Sequence, residues 1–432
     1  MIRNPSLIGR FLRYVKIDTQ SDENSETTPS TMKQHDLAEL LTEELTALGA
    51  SDVYYDREHC YVYARIPAVP GGTSGGPGAS VSGGADISGG ADISGGPDVS
   101  GGPDAPAVGF IAHMDTSSAC SGAGVKPRIL ENYRGGDPVL KESDWPELCL
   151  HYGEDLIATD GTTLLGADDK AGVAEIMNLA EYFLSHPEIP HREVRICFTP
   201  DEEIGRGPDH FDIGRFGAPG AYTVDGGKLG VYEYENFNAA AAAVTVRGIS
   251  THPGDAKDRM VNAAAIAMEF HRLLPADQVP EHTEGREGFY HLCGMEGDVE
   301  HASLEYIIRD HDRGKFEARK EEMKRISAFL NSRYGEGTVE VALRDQYYNM
   351  KEIMLSHMDL IDRAVRAYAA CGVTAEAAPI RGGTDGAQLT FRGLPCPNLS
   401  TGGYNYHSRF EFASIQEMEA CAEVLIAIAR QA

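Results

Sequence analysis

Asp201, Glu202 and Glu203 stand side by side directly after Val194 to Pro200, a short apolar run that a proline brings to a stop. Two ionised carboxylates about 4 Å apart repel by roughly 4 kcal/mol at an effective dielectric near 20, so such a cluster takes up a proton, a metal cation or full solvation. Alone, the triplet reads equally well as a solvated turn. His113 and Asp115 follow the apolar run Val108 to Ala112. Their alternation sends both side chains to one side, where the aspartate can orient the imidazole. Asp168-Asp169-Lys170 opens a helix, a place where carboxylates ordinarily serve as caps. Asp225 ends Ala221-Tyr-Thr-Val ahead of Gly226-Gly227, which a turn aspartate also explains. His407 sits in the Gly-rich loop Gly402-Gly-Tyr-Asn-Tyr-His, and by itself reads as a structural histidine. Taken together, these strand and loop ends carry oxygen and imidazole donors in the mix that suits zinc, cobalt or manganese.

Such positions need a scaffold. At 432 residues the chain exceeds what one core usually supports, so two domains are expected. Met32 to Leu48 carries helical spacing and stops at Gly49; Val53 to Tyr55, Tyr61 to Ile66 and Val108 to Ala112 read as strands; Gly172 to Leu184 reads as a helix leading to the strand at Val194. This is the order of an α/β sheet, whose active sites lie at the carboxyl ends of the strands. From about Ala239 the rhythm changes. A strand at Ala243 to Arg247, a helix at Met260 to Leu274, strands at Gly288 to Cys293 and Ser303 to Arg309, a helix at Lys315 to Tyr334 and a strand at Val339 to Leu343 make a βαββαβ unit. The expected division is therefore a catalytic domain over 1–235 and 350–432, with a mixed sheet flanked by helices, and an inserted ferredoxin-like lid domain over 236–349. Residues 71–106 are Gly-rich and contain four copies of a six-residue repeat starting at Ser82, Ser88, Ser94 and Ser100. The period is wrong for a calcium-binding solenoid, so a disordered surface loop is expected.

Composition narrows the partners. Apolar residues make up 42% of the chain, and 38 basic against 66 acidic side chains leave a net charge of −28. That balance argues against nucleic acid and anionic lipid and in favour of a multivalent cation. Eight cysteines occur without a Cys-x-x-Cys pair, several of them, such as Cys197 and Cys421, in apolar stretches. They read as buried thiols of a reducing, cytoplasmic compartment. The amphipathic start, capped at Asn4-Pro5, is neither a secretion signal nor a membrane span.

The motifs are long enough to carry a resemblance. Ile111-Ala-His-Met-Asp-Thr, Leu164-Leu-Gly-Ala-Asp-Asp-Lys-Ala-Gly, Phe198-Thr-Pro-Asp-Glu-Glu, Tyr222-Thr-Val-Asp-Gly-Gly, Pro379-Ile-Arg-Gly-Gly-Thr-Asp and Thr401-Gly-Gly-Tyr-Asn-Tyr-His closely resemble the tripeptide aminopeptidases. These belong to the co-catalytic metallopeptidase family that also includes carboxypeptidase G and succinyl-diaminopimelate desuccinylase. The likeness runs nearly end to end, and the repeat tract is the clear departure from it. The resemblance implies two divalent metals, zinc first and cobalt or manganese as options, with Asp168 bridging them, His113 and Asp225 completing one site, and Glu203 and His407 the other. It implies a cis peptide at Asp168-Asp169, Asp115 as the holder of His113, and Glu202 as the general base. In the lid it implies that His252 stabilises the oxyanion, from its own or a partner subunit. Asn262, Arg309 and Arg381 would grip a short peptide, although a turn histidine and an Arg381–Asp385 pair are the plain alternatives. The implied activity is release of the N-terminal residue from tripeptides by metal-activated water, in a chain that can pair as a homodimer through the lid. A related dipeptidase, an N-acyl-amino-acid deacylase or a silent peptide-binding protein are the competing readings.

Overall fold

The computed structural model describes residues 4–70 and 105–431. The glycine-rich repeat, apart from its last residue, lies outside them. The described chain divides into two compact units, one of residues 1–232, 356–377 and 389–432, the other of 233–355 and 378–388.

An eight-stranded mixed sheet organises the first unit. Its order is Ser51–Asp56, Tyr61–Ile66, Val194–Thr199, Val108–His113, Ala221–Gly226, Asn398–Ser400, Val231–Glu233 and Glu376–Ala377. The first two pairings are antiparallel, but Val194–Thr199, Val108–His113, Ala221–Gly226 and Asn398–Ser400 run parallel. The parallel strands are near-continuous apolar runs because helices cover both faces of such a sheet. Ala167–Ser185 is the central helix: Val173, Ile176, Met177 and Ala180 are wholly buried, and it packs on Pro5–Tyr14, Ile415–Arg430 and the strands. A helix that is apolar on every side belongs in an interior, where each large aliphatic side chain contributes roughly 1.5–3 kcal/mol. Gly172 sets how close it sits, since a Cβ there would lie 1.8 Å from the Val224 carbonyl oxygen. A small sheet of Gly403–Tyr404, Phe412–Ser414, Leu156–Ala158 and Arg128–Leu130 completes this unit.

The second unit is a four-stranded antiparallel sheet in the order Phe289–Gly297, His301–Asp310, Asn238–Arg247 and Val339–Tyr347, with helices Ala263–Leu273 and Arg313–Tyr334. In chain order this is βαββαβ. Ala240, Ala242, Val244 and Val246 alternate into a core with Leu304, Ile308, Phe270 and Phe316, the period of a one-sided sheet. The strands run further than the apolar runs suggest because their polar ends still pair, and the first helix starts later than Met260 because Asn262 caps it.

None of the eight cysteines is in a disulfide. Cys60, Cys197, Cys396 and Cys421 are buried as expected, but Cys149 and Cys293 are exposed, so the buried-thiol reading corrects to half of them. Among the described residues no helix is long and apolar enough to cross a membrane.

Candidate metal centre

Three neighbouring parallel strands bring their carboxyl ends to one edge. Val108–His113 ends in His113, Val194–Thr199 runs into Pro200 and the acidic turn, and Ala221–Gly226 carries Asp225. Asp168 enters from the start of Ala167–Ser185, where it and Asp169 are not yet helical and the peptide between them is cis. His407 comes from the loop joining the hairpin strands Gly403–Tyr404 and Phe412–Ser414.

These side chains converge. His113 Nε2 lies 2.9 Å from Asp168 Oδ1 and 3.3 Å from Asp225 Oδ1. His407 Nε2 lies 3.1 Å from Asp168 Oδ2 and 2.9 Å from Glu203 Oε2. Asp168 thus offers one oxygen to each imidazole, in the middle of the cluster. His113 Nδ1 faces the Asp115 carbonyl oxygen at 3.0 Å, so Nδ1 carries the proton and Nε2 is left for the cluster. The wholly buried Asp115 also accepts the backbone N–H groups of Glu202 at 3.0 Å and Glu203 at 3.2 Å. Its carboxylate Oδ1 also lies 3.3 Å from His113 Nδ1, so one residue fixes the imidazole and the acidic turn together.

The electrostatics describe a site short of positive charge. Burial, then the charge of Asp168, pushes the Glu203 carboxyl up to about 7, and burial pushes Asp225 up to about 6. His407, bonded to Asp168 and Glu203, is raised to about 11. For His113 burial opposes the charge, yet Asp225 and the bonds to Asp115 and Asp168 carry its pKa well above the usual imidazole range. Asp168 falls below the ordinary carboxylate range because its two imidazoles outweigh burial. Protons stand where cations would otherwise compensate the acids. Among the described residues the ion pairs of Asp168, Asp225 and Glu203 are with histidine, and buried Glu203 Oε1 has no hydrogen-bond partner. Two groups, His113 with Asp168 and Glu203, and His113 with Asp169 and Asp225, bring donor atoms within 4.8 Å of one another. The donor set and the orphaned oxygen fit divalent metals.

Similar proteins identify the family. Peptidase T of Geobacillus kaustophilus is 49% identical over 430 residues, covering 98% of this chain and 97% of that one. Peptidase T of Brevibacillus brevis is 47% identical over 432 residues, 98% of each. The chain belongs to the peptidase T family. Residues 234–338 match the family described as the peptidase dimerisation domain. The fold is that of the aminopeptidase PepT of Bacillus cereus, with a TM-score of 0.73 at 23% identity over 99% of this chain and 98% of that one. A Staphylococcus aureus tripeptidase gives 0.74 at 21% identity, over 100% and 98%.

In this member of the peptidase T family, His113, Asp168, Glu203, Asp225 and His407 come together with Asp115 and Glu202 beside them. The other four residues singled out from the sequence lie in the second unit. His252 is exposed, and its Nδ1 accepts the Gly254 N–H at 3.1 Å, which puts the proton of a neutral ring on Nε2. Asn262 caps its helix by accepting the Ala265 N–H. Arg309 donates to Gln346 and to the Ile308 carbonyl oxygen; Arg381 donates to Gly285, Glu287 and Thr283 and stacks over Phe237 and Phe289.

Three acids escaped the sequence reading as parts of the site. Asp169 accepts the N–H groups of His113 and Gly172, and its signal was the doubled aspartate at a helix start. Asp201, in the left-handed region at φ 56°, accepts from Ser30 and Gln34 and so anchors the turn that presents Glu202 and Glu203. Glu411, four residues after His407, accepts three backbone N–H groups leading into Asp168. A further group, His151, Glu154 and Glu417, is tied up by Ser414 and Tyr404 and braces the hairpin.

Proposed function

We propose that this peptidase releases the N-terminal residue of short peptides, tripeptides above all, with two divalent metals held by His113, Asp168, Asp225, Glu203 and His407. The observation that carries the reading is Asp168, whose two oxygens face separate imidazoles at 2.9 and 3.1 Å, while Asp225 and Glu203 beside it pair with those same imidazoles. Zinc suits this nitrogen and oxygen set, with cobalt or manganese as substitutes. Bound there, the pair would acidify a shared water and polarise the scissile carbonyl.

The chain's own residues do the rest. Asp115 keeps His113 in the tautomer that presents Nε2 and, through the Glu202 and Glu203 amides, holds the acidic turn in place. Glu202 takes the proton of the attacking water and returns it to the leaving amine. His252, with its proton on Nε2, donates to the developing oxyanion. Arg309 and Arg381 offer N–H groups to a peptide carboxylate, and Asn262 shares that task. The second unit also serves as the homodimer surface, and the free thiols suit a cytoplasmic protein.

A panel of di-, tri- and tetrapeptides with free or blocked amino termini, assayed with added zinc, cobalt or manganese, tests the reading. Tripeptides with a free amine should be cleaved fastest, and chelation should stop the reaction reversibly. Absence of hydrolysis with every metal overturns it.

A further inference from the structure

Glu411 has a single exposed percent of its surface and yet makes no ion pair among the described residues. Its Oε2 accepts the N–H groups of Leu165 and Gly166, both at 2.8 Å, and its Oε1 accepts the Asp168 N–H at 3.0 Å. Three amide donors converging on one carboxylate are the arrangement a bound anion receives, but here the anion belongs to the chain. The three donors lie in the segment that delivers Asp168. Glu411 itself ends the loop that delivers His407, where the chain joins the strand Phe412–Ser414, which in turn pairs with Leu156–Ala158.

That loop needs holding. Asn405 and His407 sit at φ 57° and 59°, the left-handed region that non-glycine residues enter only at a cost in backbone strain. Inside the loop Ser408 Oγ donates to the Asn405 carbonyl at 2.6 Å and accepts the Phe410 N–H at 3.1 Å. These bonds shape the loop, but they do not tie it to Asp168. Glu411 does. The other histidine is placed differently: His113 ends a central strand and is held by Asp115 and Asp169, neither of which touches Glu411 in any of its three bonds.

We infer that Glu411 is a positioning residue that sets the distance between His407 and Asp168, and so governs the cation position formed by Asp168, Glu203 and His407 more strongly than the one in which Asp168 is joined by His113 and Asp225, both carried on strand ends. The inference rests on the two-metal reading above. A glutamine is the telling replacement, because it keeps the volume but offers one acceptor oxygen and turns an NH₂ group toward an amide donor. The loop should then relax away from the Asp168 segment by the loss of at least one of three bonds.

The test is calorimetric titration of the full, metal-stripped chain with zinc, alongside cobalt absorption spectra of the loaded protein. In Glu411→Gln one of two affinities should fall by about 10- to 100-fold, the range for groups that orient metal ligands, while the other, which shares only Asp168 with it, falls clearly less. The cobalt bands of one site should shift more than those of the other, and kcat should fall with KM nearly constant. Gln416→Ala, on the helix that follows the hairpin, removes both hydrogen bonds between that side chain and Asp155 without touching the Asp168 segment, and should leave both affinities as they are. Glu411→Asp, too short to span the three donors, should reproduce the selective loss. Two unchanged affinities in Glu411→Gln, or equal loss of both, overturns the inference, as does failure of both Glu411 variants to fold. If the unmodified protein itself binds no zinc, the two-metal reading falls first.

Discussion

Each unit of this chain buries carboxylates, but they are neutralised in different ways. In the second unit Asp310, with 1% of its surface exposed, meets the Arg319 guanidinium at 2.8 Å, and Glu235 is held between Arg286 and Lys351. Burial works against the Glu235 charge, but the two cations keep its pKa below the ordinary range. In the first unit Glu203 and Asp225 are pushed upward instead, by burial and by the charge of Asp168, and the cations they pair with are imidazoles. Arginine and lysine are permanent counter-ions, so an acid paired with them is finished as structure. Imidazole can give up its proton and become a ligand, so an acid paired with it stays available to a metal. The distinction belongs to the site and not to the unit, since Arg10 of the first unit closes an ordinary network with Glu44 and Glu181.

The largest effect should come from separating the base from the ligands. Glu202→Ala is expected to lower kcat by about 10²- to 10⁴-fold, the usual range for general acid–base groups, with metal content near that of the unmodified protein. Asp168→Asn should lose metal and turnover together. Metal analysis beside steady-state kinetics reads both. Loss of metal in Glu202→Ala would move that residue into the ligand set and erase the division within the acidic turn.

The structural acids should fail in the opposite way. Arg319→Met leaves Asp310 buried without its cation, and it also removes donors to Gln278 and to the Gly288 carbonyl. A broken buried pair typically costs about 3–5 kcal/mol of stability. Denaturant unfolding should show that loss, while zinc content of the folded protein holds steady. A drop in zinc with no drop in stability would mean that the two kinds of buried acid are not separable.

Which parts were legible in the sequence follows from the range of the interactions. The strands Val108–His113, Val194–Thr199 and Ala221–Gly226 announce themselves as apolar runs, and the donors at their ends are local to those runs. The donors that meet in the cluster were therefore visible as residues in motifs a few residues long, while their division between two metals came only from the resemblance. Asp201 was not, because its partners Ser30 and Gln34 lie 171 and 167 residues away. Glu411 was hidden for the same reason, reaching backbone N–H groups 243 to 246 residues back. Backbone amides carry no sequence signature, so a side chain that acts by accepting from them leaves no partner to find. Cys149 and Cys293 mislead in the other direction: an uncharged residue type suggests burial, but exposure is decided by the short helix Pro146–His151 and by the strand Phe289–Gly297 in which they fall.

Glu175 gives the comparison its third case, an acid with neither a fixed cation nor an imidazole. It lies on the central helix with no exposed surface, and among the described residues neither carboxylate oxygen has a hydrogen-bond partner. Burial alone raises its pKa well above the ordinary value. An unfolded glutamate titrates near ~4.3, so the folded state holds this proton more tightly than the unfolded one does. Its contribution to stability is therefore undiminished below that pH and is lost progressively as the pH rises toward the folded value. Glu175→Met keeps the bulk and removes the penalty of the unsatisfied group, roughly 1–3 kcal/mol. Urea unfolding of both proteins across the pH range should show the variant more stable near neutrality, with the gain shrinking toward the acid end. A gain that does not change with pH would show that burial of the charge is not what Glu175 costs, and a loss of stability near neutrality would mean that this acid, too, has found a counter-charge.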